Sequence, residues 1–336
     1  MRRKLAAVIA LLVALVAIYV GRSGPSPAPD FPINNQISEA SEVVIDIPQG
    51  SSGSEIAKLL FEAKVTKSSE AFFRIAVGDK RSEKIAPGSH RLTMKISAAQ
   101  ALDQLLDPNR IPNLIKIYEG GWKSEVIQSL KSYGFTSQEI SKAFTSAKLP
   151  KGFSDSEGLL FPAQYTFATG TTATQALQAM IDRFTSEEIA QLLLKGSKEF
   201  TAAQLLTIAS IVQAEGDTKD YPQVSRVIRN RLKIGMPLQL DSTVHFIKKV
   251  RGQIFLSTQS TLINSPYNTY KRYGLPPGPI GSPGLAAIKA ALKPADGDWL
   301  FFITVAPGDT RFTKSIEEFN SWKSLYEKNR KAGAFK

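Results

Sequence analysis

The residue in this chain best suited to chemistry is Glu215, at the end of the run TAAQLLTIASIVQAEG over 201–216. Thr201-x-x-Gln204 forms a capping box, in which a hydroxyl and an amide each satisfy a free backbone N–H. Leu205, Ile208, Ile211 and Val212 then recur at helical spacing, and Glu215 continues that stripe. Gly216 follows, the usual residue for the left-handed turn that ends a helix. A carboxyl in line with an apolar face, at the negative end of a helix dipole, is disfavoured as an anion on both counts, so its pKa is expected to rise. Such a group keeps its proton near neutral pH and serves as a general acid. The plain alternative is a solvated helix end, where most Glu residues are found.

Several elements must position this acid. A second helix begins after Asp220, with Pro222 in its first turn, Val224, Val227, Ile228 and Leu232 inward, and Gly235 as its stop. Leu238-Gln239-Leu240-Asp241 alternates with period two, which predicts Gln239 and Asp241 on one face of an extended segment. Asp241 either belongs to the site or caps a helix starting at Ser242. Further on, Tyr267-Asn268-Thr269-Tyr270 and the Pro/Gly-rich loop over 274–284 have the make-up of a sugar site. An aromatic face covers the C–H side of a pyranose, an amide offers one donor and one acceptor, and prolines order the loop in advance. An ordinary surface loop is the competing reading. Glu119, beside two glycines, is a substrate-side acid or a turn residue, and EGLLFPAQYTF over 157–167 packs aromatics around a proline as a rigid wall.

Composition excludes much else. The chain has 336 residues, enough for two domains, and no Cys, so disulfides and thiolate chemistry are absent. Its two His, His90 and His245, are too few for a metal cluster and too isolated for a Ser/His triad, and no cofactor or metal is expected. No phosphate-cradling glycine loop follows a strand. The net charge of +12 comes from scattered Lys and Arg without interleaved aromatics, which points to an anionic membrane or wall rather than nucleic acid.

Met1-Arg-Arg-Lys4 precedes the apolar run from Leu5 to Val20, so the remainder is expected to face outward from the membrane. A cleaved signal peptide competes with an uncleaved anchor, but no convincing small-x-small cleavage site follows closely, since Gly21-Arg22-Ser23-Gly24 leads straight into prolines. Ser23 to Ser41, rich in Pro, Ser and Asn, reads as a linker. Val43 to Ile47 alternates as a strand, Pro48-Gln-Gly50 turns, and Ser54 is expected to cap a helix carrying Ile56, Leu59, Leu60 and Ala63. The same strand, glycine turn and capped helix return at Ile115 to Val126 with a constant offset (115 − 45 = 70). Ser97-x-x-Gln100 caps a helix with Ala101, Leu102, Leu105 and Leu106 inward. Helices are predicted over 174–184 and 186–194, a buried strand from Trp299 to Val305 with its return at Thr310 to Thr313, and a last helix capped by Ser315 and Glu318. Phe319, Trp322 and Tyr326 are read as its core side chains.

The segments Ala209-Ser-Ile-Val212, Glu215, Asn230-Arg-Leu232, Ile234-Gly-Met236, Leu238-Gln239, Asp241 and Thr243-Val244 resemble the endolytic murein transglycosylases of the YceG-like family. So do Glu119-Gly120, Glu157-Gly158-Leu-Leu-Phe-Pro162, Ser265 to Tyr270 and Gly274 to Gly284. The resemblance runs from about Val43 to the last helix. It departs at Gln213, where many members carry an acid, and at Ala163, where Asp is common. The resemblance implies a small LysM-like α+β module (43–110) and a larger α+β catalytic domain (111–330), while the residues before them read by charge and composition as a cytoplasmic tail (1–4), a transmembrane anchor (5–21) and a linker (22–42), in an α+β protein overall. It implies Glu215 as the catalytic acid, with Gln239, Asp241, Thr243, Tyr267, Asn268 and Glu119 around the substrate. The implied activity is cleavage of MurNAc–GlcNAc bonds inside peptidoglycan strands, on the outer side of the cell membrane, with formation of 1,6-anhydromuramyl ends. Peptidoglycan synthases are implied as partners. A muramidase pairing Glu215 with Asp241, and a non-catalytic wall-binding scaffold, are the alternatives; the module over 43–110 is read equally as glycan binder or spacer.

Overall fold

A computed structural model of the chain describes residues 28–33, 41–112, 114–251 and 257–335. The tail and anchor expected over 1–21 lie outside the described residues, as does most of the 22–42 linker. No helix among the described residues is long and apolar enough to cross a membrane. The fold is mixed α+β, with helices carrying most of the core and, among the described residues, three two-stranded antiparallel sheets beside them. The chain divides into two compact units, one reaching Pro112 and including Thr166–Thr169, the other formed by 113–165 and 170–336.

In the first unit β1 (Glu42–Ile47) pairs antiparallel with β2 (Gly88–Thr93), placing Ile45 opposite His90. The helices α1 (Gly53–Glu62), α2 (Ser69–Gly78) and α3 (Ala98–Leu106) bury Leu60, Phe72, Leu102 and Leu105 with Ile47, Leu92 and Ile96 from the strands and loops. The cap of α1 is Ser52 and not Ser54: its hydroxyl accepts from the Glu55 N–H while the Glu55 carboxylate accepts from the Ser52 N–H at 2.6 Å. The glutamate three residues on decides which serine caps, because only Ser52 closes the reciprocal box. Ser97 and Gln100 form the predicted box on α3. His90 is buried, with its Nε2 2.8 Å from the Ala86 carbonyl oxygen.

The second unit opens with β3 (Ile115–Lys116), paired with β4 (Gln164–Tyr165), and the helices α4 (Lys123–Tyr133) and α5 (Ser137–Ser146) between them. α6 (Ala173–Ser186) and α7 (Glu188–Leu194) lead into α8 (Ala202–Glu215), followed by α9 (Tyr221–Lys233), α10 (Asp241–Lys248), the short α11 (Thr258–Thr261) and α12 (Leu285–Leu292). The hairpin β5 (Phe301–Ala306) and β6 (Asp309–Thr313) and the helix α13 (Ile316–Lys331) close the chain. α1 and α4 begin one offset apart (123 − 53 = 70), and each opens with a glutamate whose carboxylate accepts the backbone N–H three residues earlier.

α8 is the axis of this unit. The capping box at Thr201 and Gln204 starts it as predicted, with the Gln204 amide oxygen 2.9 Å from the Thr201 N. Every residue from Leu205 to Val212 is buried, not only the stripe at Leu205, Ile208, Ile211 and Val212. The cause is that α7, α9, α10 and α12 surround it on all sides. The two hydroxyls this encloses are satisfied locally: Thr207 donates to the Ala203 carbonyl and Ser210 to that of Thr207, while Ser210 also accepts the Ile280 N–H at 3.0 Å. Ser210 thereby ties the proline-rich loop to the central helix. At the far end of the unit, β5 is half-buried and only Val305 is enclosed, because the two-stranded hairpin has α13 on one face. Phe319, Trp322 and Tyr326 are correspondingly half-buried, Phe319 lying 5.3 Å from the Phe301 ring, and are not core.

Gly158 shows how the 157–162 segment meets α8. Its φ is +84°, and a Cβ there would lie 2.7 Å from the Pro279 side chain and 3.1 Å from Leu206. Gly158→Ala is expected to cost about 1–3 kcal/mol, through left-handed strain and displacement of the proline loop. Denaturant unfolding measures it, and an unchanged midpoint means that the wall is not wedged as described.

Candidate active site

α8 stops at Glu215 because Gly216 leaves the helix in extended conformation, with φ −142° and ψ 167°. The left-handed turn expected from the sequence does not form. Glycine suits the close approach here: a Cβ would stand 3.3 Å from the Val224 side chain on α9, tighter than an ordinary contact. α9 then returns past the end of α8, and its last turn buries Arg231. The guanidinium donates to the Leu300 carbonyl at 2.6 Å and to the Leu238 carbonyl at 2.5 Å. Leu238 and Leu240 are buried, but the segment between them is not regularly extended: Gln239 has φ +47° and its N–H donates to the Thr269 carbonyl at 3.1 Å. The kink leaves the Gln239 side chain exposed and lets α10 begin at Asp241. Asp241 is the first helical residue and does not cap; the cap position is Leu240, without a side-chain bond. The Asp241 carboxylate instead accepts the Tyr270 hydroxyl.

This path brings the start of α10 to the end of α8. The Ser242 N–H donates to Glu215 Oε1 at 3.2 Å, so the carboxyl lies between the negative end of one helix and the positive end of the other. Burial raises the Glu215 pKa above the usual carboxylate range, and the Asp241 charge adds to the rise. Ser242 and the more distant Arg231 cation pull the other way without reversing it. Glu215 nevertheless keeps part of its surface open. A protonated acid that still faces outward can reach a ligand oxygen.

Glu119 reaches the same end of α8 from the turn after β3. The Gly120 N–H donates to the Ser282 carbonyl at 2.7 Å, Gly121 bridges Ser282, and the Glu119 carboxyl lies so close to Gly284 that a Cβ there would overlap it. Gln213, in the last turn of α8, accepts the Gly284 N–H at 2.9 Å and donates to the Tyr221 hydroxyl at 2.7 Å. Its amide uses one donor and one acceptor where a carboxylate would offer acceptors alone. Glu119 is exposed and lines a cleft of about 360 Å³ with Tyr118, Gly121, Glu125, Val126 and Arg251.

The other predicted residues divide. Tyr267 is half-buried, its ring 5.1 Å from that of Phe246. Thr243 and Asn268 are fully enclosed. Thr243 donates to the Leu240 carbonyl and shares a hydrogen bond with Thr269. The Asn268 amide donates to the carbonyls of Thr261 and Ile263 and accepts the Tyr270 N–H. Both hold the loop beneath the site and have no group turned to a ligand.

Two buried ionisable groups were not singled out as site residues from the sequence. Arg231 was detectable, since it falls three residues past Ile228 on the apolar face of α9. Glu157 was signalled only by a charge directly before an apolar run. Its carboxyl is buried, accepts the Lys123 N–H at 2.9 Å, and is pushed up to about 7 by desolvation.

The site therefore has the form of a general-acid centre: one desolvated carboxyl, held at the meeting point of two helices and opening to the surface beside polar side chains. The chain belongs to the YceG-like family, whose profile matches residues 45–324. It is 32% identical over 312 residues to the endolytic murein transglycosylase of Bacillus subtilis (strain 168), covering 84% of each chain. It is 29% identical to the endolytic murein transglycosylase of Streptococcus pneumoniae (strain D39), covering 82% of this chain and 57% of that one. A crystal structure of a yceG-like protein from Listeria monocytogenes superimposes with a TM-score of 0.57 at 26% identity, over 83% of this chain and 98% of that chain.

The folded-state pKa of Glu157 lies above its unfolded value, so its contribution to stability is complete below about 4.5 and is lost as pH rises through about 7. Glu157→Gln keeps an oxygen for the Lys123 N–H and removes the buried charge. The variant is expected to be more stable than wild type by about 3 kcal/mol at pH 8.5, shrinking to about 1 kcal/mol at pH 5. Unfolding at the two pH values checks both size and sign.

Proposed function

We propose that this protein is an endolytic lytic transglycosylase that cuts glycan strands of peptidoglycan at the MurNAc–GlcNAc bond. The observation that carries the reading is the raised, desolvated and still reachable carboxyl of Glu215 at the junction of α8 and α10. The names of the Bacillus and Streptococcus relatives support the substrate.

The chemistry follows from one carboxyl group. Protonated Glu215 gives its proton to the glycosidic oxygen as the bond from that oxygen to the muramyl anomeric carbon breaks. The carboxylate left behind takes the proton of the muramyl O6 hydroxyl, whose oxygen bonds to the same carbon and closes the 1,6-anhydro ring. Water is not consumed, and the acid is regenerated in its protonated form. Burial favours the neutral acid before the first transfer; the Ser242 amide stabilises the anion between the two. Gln239, exposed on its kink, and Glu119, in the cleft, are the polar groups best placed to meet sugar hydroxyls and acetamido groups.

The Asp241 carboxyl beside Glu215 favours a second reading, muramidase-type hydrolysis with Asp241 as the partner of the acid. Product ends separate the two: anhydro ends mean transglycosylation and reducing ends mean hydrolysis. A non-catalytic wall-binding scaffold would retain insoluble peptidoglycan and release no soluble fragment.

The same reading includes a single-pass anchor over residues 5–21 with the folded part outside the cell membrane, a LysM-like module over 43–110, and work beside peptidoglycan synthases that limits or releases nascent strands. Its supports are the charge and apolar pattern at the N-terminus and the resemblance already described.

Glu215→Gln is expected to fold normally and to lose about 10²–10⁴-fold in turnover on purified glycan strands. Mass spectrometry of the products is the measurement. Normal digestion by this variant removes Glu215 from the mechanism, and reducing ends from the wild type replace transglycosylation with hydrolysis.

A further inference from the structure

At the other end of α10 from Glu215 the chain builds a cationic surface on buried aromatic rings. Lys249 follows the helix with φ 54° and ψ 43°, a left-handed cap that usually falls to Gly or Asn and strains a lysine. Its side chain folds back over the helix end, placing Nζ 3.5 Å from the centre of the Phe246 ring and 5.3 Å from that of Trp122. The Arg251 guanidinium lies 3.9 Å from the Trp122 ring, and Tyr267 packs on Phe246. Trp122 and Phe246 are almost wholly buried, so the rings support the cations and leave no face for a sugar.

Three cations meet here, and two are matched. Arg251 binds Glu125 through two hydrogen bonds of 2.5 and 2.8 Å, and Lys123 pairs with Asp155 at 2.5 Å. Among the described residues Lys249 forms no ion pair, although it remains exposed. The acid nearest in charge, Glu157, is buried beneath it and bonded to the Lys123 amide. Partial desolvation, which lowers the Lys249 pKa, agrees with a cation short of a counter-charge. An ordinary cation at a helix C-terminus would extend into water; this one is held in place by two rings and an unfavourable backbone angle.

Position gives the ligand. Ser242, which binds Glu215, and Lys249 are seven residues apart on one helix, about 10 Å along its axis. That span is on the order of one disaccharide of an extended glycan. While a stem is attached, the muramyl lactyl carboxyl is tied up as an amide, so the anionic groups along such a strand are the carboxylates of the peptide stems, one stem per disaccharide. We propose that Lys249, seated on Phe246 and Trp122, is a subsite for a peptide-stem carboxylate on the muramyl residue adjacent to the one that is cut. The proposal rests on the glycan-strand reading above and adds to it a preference for stem-bearing over bare strands.

The test uses the full chain carrying Glu215→Gln, so that binding is read without turnover, and two probes: glycan strands with intact stems, and the same strands stripped by an amidase, with the lactyl carboxyl that stripping exposes blocked as an amide. Lys249→Gln is expected to weaken binding of stem-bearing strands about tenfold and to leave stripped strands unchanged, while Lys249→Arg keeps most of the affinity. In the otherwise wild-type chain the same change should raise KM on stem-bearing strands with kcat unaltered. Equal weakening on both probes assigns Lys249 to packing and overturns the proposal, as does unchanged binding of stem-bearing strands. Failure of the underlying reading has a different signature, in which the parent chain binds neither probe.

Discussion

The structure turns on a carboxyl caught between two helix ends. Glu215 completes α8 and accepts the amide that opens α10, so burial and a hydrogen bond to the charged form act on it in opposition. Burial prevails, and the balance shifts towards the neutral form that a proton donor needs. The opposing contact still matters, because it stabilises the anion that exists once the proton has left. A carboxyl with only one of these influences would either give its proton to water or hold it too firmly.

Much of the second unit keeps these two helix ends together. α8 is enclosed on every side, which gives its last turn little freedom. Arg231 fastens α9 to the irregular segment before α10 and to the loop before β5 through two carbonyls, while Thr243, Thr269 and Asn268 fasten the kink at Gln239 to the loop beyond. Gln213 joins the end of α8 to Gly284 and Tyr221, and the Gly120-Gly121 turn rests on Ser282. Most of these bridges end on a backbone group, so loops rich in glycine and proline acquire fixed positions without a sheet to carry them.

The segments around the site were read from the sequence with uneven success, for identifiable reasons. Capping boxes at Ser97 and Thr201 were legible because both partners lie within four residues, and the end of α8 at Glu215 because a glycine follows. The placement of the α1 cap at Ser54 failed where two serines competed and a third residue decided between them. The period-two reading of 238–241 found the right residues buried, Leu238 and Leu240, yet missed the left-handed kink at Gln239. That angle is imposed by hydrogen bonds to Thr269, thirty residues away in the chain. Asn268 looked available for a ligand because an amide has four hydrogen-bonding positions; three are occupied by neighbours that no local pattern reveals.

By itself the sequence determined the local facts: which helix carries an acid in line with its buried face, where that helix stops, and which family the motifs resemble. These rest on interactions between residues a few places apart, and spacing encodes them directly. Only the tertiary structure decided that the amide of Ser242 meets Glu215, that the Glu157 carboxyl is buried against the Lys123 amide, and that Lys249 lies on two aromatic rings. Each depends on how segments distant in the chain pack, and the electrostatics of a carboxyl are set by what surrounds it in space rather than by its neighbours in the chain.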